Sequence, residues 1–264
     1  MNLLQQFKCF VFDMDGTIYL SSRVIPGAKE LFKMLDERNI PYFFFTNNSS
    51  RSPKAYIEKL ERLGFGSYKR EKIITSGDVT VDYIKKTFGS SPSVYLVGTP
   101  SLHEHFESSS IRITSDETPD CLVVGFDTTY NFEKASKAVD LLREGVPFLA
   151  TNVDAVCPLD GGDVLPDCAS MCAMLTHATG RKPKFLGKPS FETAQYIKNK
   201  AGVQFEEIAV VGDRLYTDMH LAMDNGMCAI GVLSGEMTQA DIDASEQKPS
   251  FVFDSVADLH KKLL

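Results

Sequence analysis

Four apolar runs in this chain stop abruptly at chemistry-bearing side chains, and no other feature constrains the fold as much. Cys9 to Phe12, rich in β-forming residues, ends in Asp13-Met14-Asp15-Gly16-Thr17. Pro41 to Phe45 ends in Thr46-Asn47-Asn48-Ser49-Ser50, and Lys184 to Gly187 leads into Lys188-Pro189-Ser190. Ile208 to Val211 ends in Gly212-Asp213-Arg214, with Asp218 in the segment that follows. Short apolar runs bounded by turn signals read as buried strands. As parallel strands of one sheet they would deliver all four polar ends to a common edge, the crevice where open α/β sheets bind ligands.

Helical periodicity fills the gaps between these runs. Leu31, Phe32, Met34 and Leu35 recur at helical spacing within Ala28 to Arg38. Ser52-Pro53 reads as an N-cap with proline at the first helical position, opening a helix to about Leu63 that Gly64 closes. A strand at Lys72 to Thr75 leads through Ser76-Gly77-Asp78 into a helix from Val79 to Thr87. From Gly89 the alternation continues at Val94 to Val97, Cys121 to Gly125, Phe132 to Arg143 and Phe148 to Ala150, but without motif residues. About a hundred residues therefore stand between the second and third motifs, the size of a small domain. After Lys188 the alternation resumes with helices at Phe191 to Ala201, Tyr216 to Asn225 and Val256 to Leu263, and strands at Cys228 to Val232 and Phe251 to Phe253. The expectation is an α/β protein: a doubly wound parallel-sheet core over 1–77 and 184–264, with an inserted α/β cap domain over 78–183.

Composition narrows the function. Of 264 residues, 43% are hydrophobic and 24% charged, which fits a globular chain with a sizeable core. A net charge of -7 gives no reason to expect nucleic acid as partner. No apolar run approaches the roughly 18 residues of a spanning helix, and Met1 to Lys8 lacks the pattern of a secretory leader, so a cytoplasmic protein with no membrane partner is expected. The six cysteines include no Cys-x-x-Cys pair. Cys168 and Cys172, four apart, read as buried thiols on one helix face. His103 and His105 point to different faces of a helix and do not make a zinc pair.

Asp13 and Asp15, ending a buried strand, would repel each other and resist ionisation unless a cation neutralised them. With Asp213 at the same edge the donor set is all oxygen, which suits a hard ion such as Mg²⁺ and would let a phosphate approach. An EF-hand is excluded, because its sixth position would be Ile18 and its twelfth Val24, where glycine and glutamate are needed. Taken singly, each motif has a plainer reading: turn-capping aspartates, a polar turn, a surface lysine, or an acidic first helical turn. Their convergence on one edge favours a site.

FDMDGTIY, TNNSS, GKPS and GDRLYTD, in that order, resemble the motifs of the haloacid dehalogenase-like superfamily of phosphotransferases and phosphatases, over nearly the whole chain. The chain looks most similar to the class IIA branch, which includes para-nitrophenyl phosphatases, phosphoglycolate phosphatases and pyridoxal phosphatase. The resemblance implies a Mg²⁺-dependent phosphatase acting on a small phosphorylated metabolite through an aspartyl phosphate on Asp13. It implies Asp15 as acid and base, Asp13, Asp15 (through its carbonyl) and Asp213 as metal ligands, and Asp218 as an outer-shell orienter. Thr46, the Asn47 backbone N–H and Lys188 would hold the phosphoryl oxygens. Phosphotransfer to a sugar hydroxyl, or a non-catalytic phospho-ligand sensor, would share these motifs. Asp167-Cys168-Ala169 departs from the glycine-containing turn usual there, so the reaction carries over and the substrate does not. Self-association is compatible with the sequence.

Overall fold

The computed structural model describes residues 6–264; most of Met1 to Lys8, read above for a leader, lies outside them. The chain divides into two compact units, one comprising the chain up to Thr46, Tyr56–Ile74 and Lys188–Leu264, the other Asn47–Ala55 and Thr75–Gly187.

The first unit is built on a six-stranded sheet in the order Phe251–Phe253, Cys228–Val232, Ile208–Gly212, Cys9–Asp13, Tyr42–Thr46, Ile73–Thr75. The recorded registers among the first five strands are all parallel. Numbered along the chain this is the order 3-2-1-4-5-6, whose switch point falls between Cys9–Asp13 and Ile208–Gly212. Alternation along the strands sends Phe10, Phe12, Tyr42, Phe44, Ala209 and Val211 into one apolar cluster. There Ala28–Glu37 brings in Leu31, Phe32 and Leu35. Phe32 sits 4.9 Å from Phe12 and 4.8 Å from Phe44 between ring centroids, both edge to face.

The second unit carries its own five-stranded sheet, in the order Lys184–Phe185, Phe148–Ala150, Cys121–Val124, Ser93–Val97, Arg112–Ile113. All its pairs are parallel. Cys121 and Val123 pack on one face with Ser76–Phe88 and Pro100–Ser108. Leu122 and Val124 pack on the other with Phe132–Arg143 and Cys168–Thr179, where Cys168 and Cys172 are buried free thiols. The unit is thus a small doubly wound domain.

One expectation is corrected. Lys184 to Gly187 is not a strand of the first sheet: Lys184 and Phe185 pair with Leu149 and Ala150 in the second. A two-residue strand has too little pattern to choose a sheet, and here it covers the otherwise open edge of Phe148–Ala150 while Phe185 packs against that unit's core. Three motif runs, not four, therefore share the first sheet. The expected helix Tyr216 to Asn225 is also broken, into a widened turn at Leu215–Met219 and a short α-helix at His220–Met223. No helix of the described residues is long and apolar enough to cross a membrane.

Candidate active site

Within the first unit, neighbouring strands bring the motif ends together. Asp13 is in register with Phe45, so Thr46 lies one residue beyond that level. Phe12 is in register with Val211, so Gly212 falls level with Asp13 on its other side and Asp213 lies one residue beyond. Asp13, Asp213 and Asp218 each offer a carboxylate oxygen within 4.8 Å of the others. Asp213, Asp218 and Lys188 are buried, and so is Thr46.

Lys188 is the cation of this cluster. Its Nζ donates to Asp13 Oδ1 and, at 2.7 Å, to Asp218 Oδ1, with the Phe45 carbonyl at 3.5 Å. Burial alone would push its pKa down, but attraction to Asp13 and then Asp218 outweighs this and holds the ammonium charged. Asp13 moves the other way: burial pushes its pKa well up, Lys188 pulls it back, and Asp218 and Asp213 push it up again.

Among the described residues, no ammonium stands at hydrogen-bond distance from Asp213. Oδ1 accepts from the Thr17 hydroxyl at 3.1 Å, and Oδ2 accepts from the Glu236 backbone N–H at 2.8 Å. Burial, then repulsion from Asp218, raises its pKa to about 6 against the Glu236 hydrogen bond. The carboxylate is seated between two glycines, since a Cβ on Gly16 or on Gly235 would overlap it. Gly16 has a second reason to be glycine, a φ of +86°. Gly212 in turn makes room for Asp218, whose carboxyl group occupies the place a side chain there would fill. The widened turn delivers Asp218: the Met219 N–H donates to the Arg214 carbonyl, five residues back, at 3.1 Å, a bulge type frequent at functional sites.

Asp15 stands apart from this cluster by its side chain, which is 57% exposed and 3.7 Å from Lys59. It also accepts weakly from the Ser21 N–H at 3.4 Å. Lys59 lies 3.8 Å from the Tyr19 ring centroid as well, so it is held over Asp15 by two contacts. Asn47, joined to Thr46 by one peptide bond, belongs to the second unit, where its Nδ2 donates to Asp154 Oδ2 at 2.9 Å. Sequence reasoning missed Thr17, Lys59, Gly235 and the Glu236 N–H. Thr17 stood within the first motif, whereas a lysine on a helix and a loop N–H leave no pattern to find.

Two buried carboxylates, Asp213 and Asp218, with the half-buried Asp13 beside them, stand against one buried ammonium, which leaves an excess of negative charge largely out of water. That imbalance, with donors that are all oxygen, fits a hard divalent cation. The residues able to hold it are Asp13 and Asp213, with the carbonyl of Asp15 following Asp13 in the same motif.

Comparison with known proteins agrees with this chemistry. A family model described as haloacid dehalogenase-like hydrolase matches residues 10–112, and a second, HAD-hydrolase-like, matches 185–259. The chain is 31% identical to an acid sugar phosphatase of Staphylococcus aureus over 98% of its own length and all of that protein's. It superposes on a 4-nitrophenylphosphatase from Thermotoga maritima with a TM-score of 0.94 and 40% identity, covering 99% of each chain. A glycerol phosphate phosphatase from Mycobacterium tuberculosis, solved in complex with magnesium, gives a TM-score of 0.90 at 28% identity, covering 98% of this chain and 79% of that one.

Proposed function

The chain belongs to the haloacid dehalogenase-like hydrolases, and from that premise we propose that it is a Mg²⁺-dependent phosphatase of small-molecule phosphomonoesters, working through an aspartyl phosphate on Asp13. The observation that carries this is the pairing of Asp13 and Lys188 in a cluster of carboxylates at the switch point of the sheet.

Asp13 attacks phosphorus through a carboxylate oxygen, forming an O–P bond as the bond to the leaving alcohol breaks. Asp15, exposed and free of the cluster, gives its proton to the leaving oxygen. In the second half-reaction Asp15 takes a proton from water, the water oxygen bonds to phosphorus, and the bond to Asp13 breaks. Lys188 holds Asp13 and stabilises charge on the equatorial phosphoryl oxygens, and Thr46 with the Asn47 N–H contacts those oxygens from the next strand end. Asp13, Asp213 and the Asp15 carbonyl would hold Mg²⁺, which would supply the charge neutralisation that lets a dianion approach carboxylates. Asp218 orients Lys188, to which it is already bonded.

The test is hydrolysis of para-nitrophenyl phosphate and a panel of sugar and polyol phosphates, read as free phosphate. Turnover is expected only with Mg²⁺, and Asp13→Asn is expected to reduce it by at least about a thousandfold while leaving the protein folded. An isomerised phosphoester in place of free phosphate, or Asp13→Asn retaining turnover, would overturn the reading.

A further inference from the structure

Three chain segments of the second unit converge on one buried residue, Asn47, through its side chain and its backbone carbonyl. Its Nδ2 donates to Asp154 Oδ2 at 2.9 Å, its carbonyl accepts from Ser76 Oγ at 2.6 Å, and its Oδ1 lies beside Gly187. A Cβ on Gly187 would stand 2.8 Å from that oxygen, 2.5 Å from the Thr151 carbonyl and 3.1 Å from Ser76 Cβ, so no larger residue fits.

Asp154 is the anchor beneath this junction. It is 2% exposed, and the same Oδ2 accepts from Asn152 Nδ2 at 2.9 Å. Asn152 reaches on to Asp167 Oδ1 at 3.1 Å, and Asp167 caps Cys168–Thr179 through the Cys168 N–H. The anchor is therefore tied to the cap of the helix Cys168–Thr179 in its own unit. Burying a carboxylate is costly unless it is fully hydrogen-bonded, and the metal cluster makes no use of this one. Two of the segments it secures end where the site begins: Asn47 follows Thr46 by one peptide bond, and Gly187 precedes Lys188 by one.

We propose that Asp154 is a positioning residue for phosphoryl transfer, which through the Asn47 amide fixes the two chain crossings that carry Thr46 and Lys188. The inference rests on the phosphatase reading given above. Thr46 and Lys188 contact the transferring group, and small displacements of such groups cost rate steeply. Asp154 itself touches no reacting atom. Asp154→Asn keeps the shape but sets an amide nitrogen or a poorer acceptor against two amide donors, so it loosens the junction without leaving a void.

The experiment compares wild type with Asp154→Asn, Ser76→Ala and a control, Asp120→Asn. Asp120 serves only structure in the same unit, accepting from the Ser93 N–H at 2.7 Å and Ser93 Oγ at 2.9 Å. Each variant is measured for kcat and KM on para-nitrophenyl phosphate with Mg²⁺, for vanadate inhibition, for Tm, and for amide exchange in peptides covering 46–48 and 187–188. Asp154→Asn is expected to lower kcat roughly tenfold to a hundredfold with KM little changed, to weaken vanadate inhibition in proportion, and to speed exchange in both peptides. Asp120→Asn is expected to lower Tm and change neither vanadate affinity nor that exchange. Should Asp154→Asn fail to fold, Ser76→Ala carries the test, with a smaller shift in the same direction. A folded Asp154→Asn with wild-type kcat and vanadate affinity, or an equal loss in Asp120→Asn, overturns the proposal. Absence of turnover in wild type would sink the phosphatase reading instead, and the exchange comparison would still report on the junction.

Discussion

Asp213 shows how one side chain is specified by its surroundings rather than by its neighbours in sequence. In the metal-free fold it titrates at about 6, above its ordinary value, because burial and then Asp218 disfavour its charge. Over the interval between the ordinary carboxylate pKa and about 6 the folded chain holds a proton that the unfolded chain has released. Linkage then requires stability to fall as pH rises through that interval, and Asp13, raised by the same causes, adds to the slope. In EDTA, the urea midpoint should therefore drop between about pH 4 and about pH 6 more in wild type than in Asp213→Asn, and saturating Mg²⁺ should erase the difference. Equal profiles for the two proteins would contradict this. The gathering of Asp13, Lys188 and Asp213 was legible in the sequence because each ends, or follows within residues of, an apolar run. The seat of Asp213 was not, since Gly16, Gly235 and the Glu236 N–H meet it from loops that carry no period.

At the scale of elements, legibility follows length. Strands and helices of the core with a full period, such as Cys228–Val232, Phe191–Ala201 and Val256–Leu263, lie where alternation and capping residues put them. The two-residue pairs Tyr19–Leu20 with Arg23–Val24, and Lys184–Phe185 with its neighbour, fall below any period, so their partners come from packing alone. The break at Leu215–Met219 left no mark either, because no glycine or proline interrupts the segment and the wider bond serves Asp218. Ser76–Phe88 begins earlier than the expected Val79, as Thr75 is its N-cap and forms a capping box with Asp78. Asp78 also meets His105 at 3.1 Å, joining this helix to Pro100–Ser108. Thr75→Ala should destabilise the protein by about 1–2 kcal/mol in urea unfolding with little effect on Mg²⁺ binding; a neutral result would deny the cap its role.

For the whole molecule, the donor set joins strands from opposite ends of the chain, Cys9–Asp13 and Ile208–Gly212, side by side. A cation bound there favours the folded state over the unfolded one by mass action, about 2.7 kcal/mol at a hundredfold excess over its dissociation constant. Thermal melts should shift upward with Mg²⁺ concentration, reverse on chelation, and lose the response in Asp213→Asn; a shift that persists in that variant would place the ion elsewhere.

The split layout of the first sheet also sets an order of events during synthesis. Its middle strand, Cys9–Asp13, leaves the ribosome early, but the neighbour at Ile208–Gly212 emerges only after the entire insert has been made. The insert's own sheet is complete by Phe185 and can settle while the first sheet still lacks half its strands. Phe12 and Phe44 can meet Phe32 as soon as Tyr42–Thr46 has emerged, but Asp213 cannot join Asp13 until the final third of the chain has been delivered.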